Sequence, residues 1–138
     1  MLTVRQIDLV QNSFATVLPL APSAAAAFYD RLFTLAPDTR ALFRGDMADQ
    51  GRKLFQTLAL IVDALDRLDT IVPVAEALAV RHVGYGVRED HYAAVGAALL
   101  QTLAHALGDR FDADTAAAWT AAYDVLAGCM VAAAHPGP

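Results

Sequence analysis

The chain has 138 residues, 57% of them hydrophobic and 18% charged, with a formal net charge of -5 at pH 7. Its length suits a single domain spanning 1–138, and so apolar a chain buries a large core and leaves little room for disorder. The ten Lys and Arg residues are scattered, which argues against nucleic acid and anionic membrane surfaces as partners.

Alanine and leucine recur at helical spacing throughout, and no stretch alternates apolar with polar residues as a strand does. Breaks in this pattern divide the chain into six main helices. Thr3 and Gln6 fit a capping box at the head of the first, which carries Ile7, Val10, Phe14, Val17 and Leu18 and runs to Pro19. Pro22 and Ser23 open the second, with Phe28, Tyr29, Leu32 and Phe33. Pro37 opens a short helical turn ending at Leu42 and Phe43. After the polar loop RGDMADQG, a third helix is expected from about Ala48 to Arg67. A shorter fourth begins near Pro73, where the missing N–H would be unpaired anyway, and stops at Gly84. Asp90 or Glu89 caps a fifth that ends at Leu107 before Gly108. Asp112 or Asp114 caps a sixth, from about Thr115 to Ala134.

Helices of unequal length, broken by proline at irregular intervals, predict an all-α domain whose helices cross steeply around a pocket. Asp63, Asp66 and Asp124 interrupt the most apolar segments, so no membrane span of about 20 residues is expected. The N-terminus lacks a signal-peptide pattern, and a soluble, cytoplasmic protein is the expectation.

Two helical stripes each carry one polar residue. In the third helix Gln50, Leu54, Leu58, Ile61 and Leu65 recur at spacings of three and four. In the fourth, Val74, Leu78 and His82 share a stripe. If the two faces oppose, Gln50 and His82 look at each other across an apolar gap. A buried imidazole is costly to charge, so it stays neutral and offers a lone pair suited to iron. Its second ring nitrogen then needs a partner, for which a carbonyl in the last turn of its own helix and the Tyr92 hydroxyl are the candidates. Singly, these residues have ordinary uses: His82 as a cap or core residue, Gln50 on a solvated face, Tyr29 as a core aromatic. Cys129, the one cysteine, reads as a small apolar residue and excludes an internal disulfide or a C-x-x-C-H haem attachment. His91, His105 and His135 read as surface or helix-packing residues.

The segments AAFYDRLFTLAPDTRALF, QGRKLFQTL, RHVGYGVREDHYAAVGAALL and AAAWTAAYDVLA, in that order, resemble the globins. The resemblance covers nearly the whole chain and is strongest to single-domain bacterial haemoglobins and the haem domain of flavohaemoglobins. It implies a globin fold of about six to seven helices around haem b. It also implies roles: His82 as the iron ligand, Phe43 as the aromatic packed on the haem, and Tyr29 and Gln50 as distal donors. Leu54 falls above the iron, Lys53 where a basic side chain meets a propionate, and Tyr92 where a tyrosine contacts the proximal histidine. Leu78, one turn before His82, joins the haem-contacting set. Gly84 and Gly86 let the chain turn sharply and bring Tyr92 back towards His82. The glutamate that flavohaemoglobins carry on the last helix falls on Ala134, which argues against a strongly basic, peroxidase-like proximal histidine.

The activity so implied is reversible dioxygen binding, as carrier or store, with Tyr29 and Gln50 holding the bound ligand. A hydrogen bond to a charged group contributes about 1.5–3 kcal/mol, so two donors predict slow release. The same residues suit a nitric oxide dioxygenase, which needs an external NAD(P)H-dependent reductase because no G-x-G-x-x-G occurs in the chain. Gas sensing, or the binding of carbon monoxide or sulfide, would use the same pocket. A haem-free interaction protein of the same fold would not need an inward histidine opposite polar donors.

Overall fold

A computed structural model describes residues 2–43, 45–84 and 89–134, and the side chains at 68, 81–84, 89–90 and 132–134 lie outside that description. The expected capping box forms. Thr3 Oγ1 accepts from the Gln6 N–H at 3.0 Å, and Gln6 Oε1 accepts from the Thr3 N–H at 3.0 Å. Helix α1, Val4–Val17, then buries Val10, Phe14 and Val17. A 3-10 turn, Leu18–Leu20, holds Pro19 in its first positions and leads directly into α2, Ala21–Leu35. Proline is tolerated there because the first N–H groups of a helix have no internal partner.

After α2 the segment Pro37–Leu42 is 3-10 helical and ends at Phe43, whose backbone is extended. Helix α3 spans Met47–Asp63, with Asp46 Oδ1 accepting from the Ala48 N–H at 2.9 Å as its N-cap. It stops short of Arg67, and Leu65 lies in the turn that follows. Helix α4, Leu68–Gly84, begins ahead of Pro73 rather than at it. The Arg67 carbonyl accepts from both the N–H and the hydroxyl of Thr70, at 2.9 and 2.7 Å, and this starts the first turn upstream of the proline. Pro73 therefore sits inside α4, without the N–H that would reach Asp69. Helix α5 spans Glu89–Leu107, and Gly108, at φ +57°, ends it in the left-handed region. Asp112 Oδ1 accepts from the Thr115 N–H at 2.8 Å, which makes Asp112 the cap of α6, Ala113–Ala134, and holds its carboxyl below the usual range.

No strand occurs among the described residues. Helix α2 packs chiefly on α5 and α3, while α1 and α4 pack on α6. Consecutive α3 and α4 are not a principal packed pair among the described residues. The α2–α3 crossing is close because position 51 has no side chain: a Cβ there would lie 2.7 Å from Ala25 Cβ. Phe14, Phe55 and Trp119 form the aromatic centre, where Trp119 donates its indole N–H to Ser13 Oγ at 2.8 Å. Among the described residues no helix is long and apolar enough to cross a membrane.

Candidate functional site

Tyr29 is the hub of the site. It is 6% exposed, on the buried stripe of α2 with Ala25, Phe28 and Leu32. Its ring meets Phe43 edge-on at 5.1 Å and Phe28 at 5.2 Å, and stacks on Phe33 at 6.0 Å. Phe33 and Phe43 close the group at 5.7 Å, and the Arg40 guanidinium lies 5.2 Å from the centre of the Phe33 ring. The Tyr29 hydroxyl donates to the Gln50 backbone carbonyl at 3.3 Å. Burial pushes its pKa up to about 12, so the phenol keeps its proton at neutral pH. The close crossing at Gly51 makes this contact reachable, since the Tyr29 ring also lies 4.0 Å from where a Cβ on residue 51 would be.

Three sequence-predicted residues, Tyr29, Phe43 and Gln50, thus converge from α2, the 3-10 segment and α3. Leu54, one turn beyond Gln50, is half-buried and packs against the core with Leu58. The most buried line of α3 runs through Gly51, Phe55, Ile61 and Val62, so the Gln50–Leu54–Leu58 stripe is rotated towards the edge of the core. Lys53 is exposed and stands apart from the cluster, its ammonium 3.9 Å from the Asp49 carboxylate, which also meets Arg52.

Among the described side chains of α4, Ile71, Ala75 and Ala79 are buried and Leu78 is half-buried. Val74, expected on the inner stripe, is 36% exposed, because the helix turns its small alanines to α6 instead. Position 82 follows Leu78 by four residues and Ala79 by three, in register with that inner face. The His82 side chain lies outside the described residues, and so does its expected contact with Tyr92. Tyr92 itself is half-buried, and its carbonyl accepts from the Tyr123 hydroxyl at 2.6 Å. Burial raises both phenols, Tyr123 the more strongly.

One residue is more than a packing residue. His91 is 4% exposed, and its Nε2 lies 2.8 Å from Asp38 Oδ2 on the 3-10 segment. Spacing held the signal, since 91, 95, 98 and 102 form one helical stripe that the structure turns inward. His105 is exposed, and His135 lies outside the described residues.

Residues 26–130 match the globin family profile, labelled simply "Globin". This chain belongs to the globin family. The flavohemoprotein of Vibrio cholerae is 30% identical to this globin over 130 residues, covering 92% of the chain and 33% of the relative. The flavohemoprotein of Bacillus subtilis is 29% identical over 136 residues, covering 95% of the chain and 34% of the relative. The chain therefore spans about a third of the length of these curated relatives. Among solved structures, a bacterial globin from Campylobacter jejuni superposes with a TM-score of 0.82 at 24% identity, covering 96% of each chain. A structure named as an engineered carbene transferase, "putative nitric oxide dioxygenase from Rhodothermus marinus", gives 0.82 at 26% identity. It covers 93% of this chain and 89% of that one.

Globins bind haem, and the described residues suit that group. Phe43, Leu54, Leu58 and Leu78 are apolar and only half-buried, and the two helices that carry most of them are not a principal packed pair among the described residues. An apolar plate between α3 and α4 would bury surface that the protein alone leaves half-covered.

Proposed function

We propose that this globin binds haem b through His82 and reversibly takes up dioxygen beside Tyr29, Gln50, Leu54 and Phe43. Haem supplies an iron with one coordination position open to a diatomic ligand. The convergence of a buried, protonated Tyr29 hydroxyl with Phe43 and the start of α3 is the observation that carries the reading. Phe28, Phe33 and Phe43 hold the Tyr29 ring from three sides. Its 3.3 Å bond to the Gln50 carbonyl is long, so the hydroxyl can be redirected to a ligand at little cost. Gln50 is assigned as the second donor. Leu54 and Phe43 exclude water, and Leu78 lines the opposite side. Exposed Lys53 is assigned to a propionate and Tyr92 to the proximal histidine. The test is a cycle of visible spectra on the hemin-loaded, reduced protein: air should convert it to an oxygenated form, and removal of oxygen should restore the first spectrum. Immediate oxidation to the ferric form in place of that cycle would contradict the reading.

A second reading, nitric oxide dioxygenation with electrons from a separate NAD(P)H-dependent reductase, is favoured by the flavohemoprotein relatives and the Rhodothermus neighbour. Here Tyr29 and Gln50 polarise the oxygen that nitric oxide attacks. Sustained consumption of nitric oxide with NADH and an added reductase supports it, and a single stoichiometric burst removes it.

A further inference from the structure

We propose that His91 is a positioning residue of the haem pocket: through Asp38 it fixes the 3-10 segment that delivers Phe43. The proposal rests on the haem-binding reading above. The two side chains are 53 residues apart in sequence, yet His91 Nε2 and Asp38 Oδ2 lie 2.8 Å apart, with the ring N–H donating to the carboxylate. The imidazole side chain is 5% exposed and the carboxylate 50% exposed, so the bond reaches from the inner face of α5 to the rim of the fold.

Pro37–Leu42 is a long run for a 3-10 helix, a geometry whose hydrogen bonds are poorer than those of an α-helix. Its described backbone bonds are local. The N–H and the hydroxyl of Thr39 both donate to the Ala36 carbonyl, and the Phe43 N–H donates to Arg40. Local bonds of this kind shape the segment without deciding where it lies over the core. A charge-assisted bond to α5 adds a fixed point to the contacts the segment already makes, where Thr39 is buried and Arg40 lies over Phe33 of α2. Phe43 follows at once, with its ring edge-on to Tyr29 and Phe33. Any shift of the segment therefore moves the aromatic that packs on the haem, and moves it against Tyr29.

The test uses the hemin-loaded protein and follows hemin transfer to excess apomyoglobin. His91→Leu, Asp38→Ala, the double variant and His91→Gln are compared with the wild type. Losing a hydrogen bond to a charged group corresponds to roughly tenfold or more, so each of the first two should speed hemin loss by about that factor. The double variant should be no faster than either single, because both remove one bond. His91→Gln keeps an N–H at similar reach and should restore near wild-type retention. Wild-type rates in both singles, additive effects in the double, or no rescue by Gln would each overturn the proposal. Should His91→Leu fail to fold, Asp38→Ala removes only a half-exposed carboxylate and carries the same comparison. A second readout separates this proposal from haem binding. In Asp38→Ala, the Phe43 amide should exchange with solvent about tenfold faster even without hemin, and an unchanged rate would overturn the proposal. If the wild type takes up no hemin, the haem-binding reading falls by that result alone.

Discussion

At the residue scale, Tyr29 is asked to do two things: fill the core and offer a proton. Its hydroxyl already has an acceptor in the Gln50 carbonyl, at a distance long enough to release it. Tyr29→Phe keeps the ring contacts with Phe33 and Phe43 and removes only the donor. Stopped-flow measurement on that variant should show oxygen dissociating about tenfold faster or more, and an unchanged rate would remove Tyr29 from the distal role. The same burial has a consequence at alkaline pH. Burial pushes the folded phenol up to about 12 from its ordinary value of 10.0. Between those values the unfolded chain has lost a proton that the folded chain still holds, so stability falls as pH rises from 10 to 12. Urea unfolding across that range should show a shallower fall in Tyr29→Phe than in the wild type. Gln50 and Leu54 were legible from helical spacing, whereas Tyr29 and Phe43 stood out only through the globin resemblance; the structure brings Tyr29, Phe43 and the Gln50 carbonyl together. The role of His91 was not legible, because a helical stripe tells that a residue faces inward but not what partner another element brings to it.

At the element scale, capping chemistry was readable and helix starts near proline were not. Thr3, Gln6 and Asp112 act through backbone groups within three residues, so their signal is local. Pro73 misleads, because Thr70 and Arg67 build a turn ahead of it and the packing of α4 on α6 tolerates one lost bond. Exposed Val74 misled for the same reason: helix rotation follows the partner, and the small alanines of α4 seat closest. Helix contact gives a paired prediction. Gly51→Ala places a Cβ 2.7 Å from Ala25 Cβ, and neither atom can rotate away. It should destabilise by about 1–3 kcal/mol in urea unfolding, with Ala25→Gly restoring part of the loss. Gly128→Ala, in α6 with no atom within 4 Å of the new Cβ, should instead stabilise by about 0.5–1 kcal/mol. Equal effects at the two sites would show that the α2–α3 crossing is looser than described.

At the scale of the whole molecule, unequal helices and scattered prolines pointed to steep crossings around a pocket, and the globin arrangement is what formed. The proposed haem seat draws on the half-buried apolar residues Phe43, Leu54, Leu58 and Leu78. The account depends on an imidazole at position 82 joining the haem to the fold. A Soret titration of hemin into the wild type and His82→Gly, each with and without free imidazole, tests this most directly. The wild type should bind hemin stoichiometrically, and His82→Gly should show a displaced, weakened band that added imidazole restores. Identical spectra for the two proteins, or a wild type that leaves hemin free in solution, would contradict it.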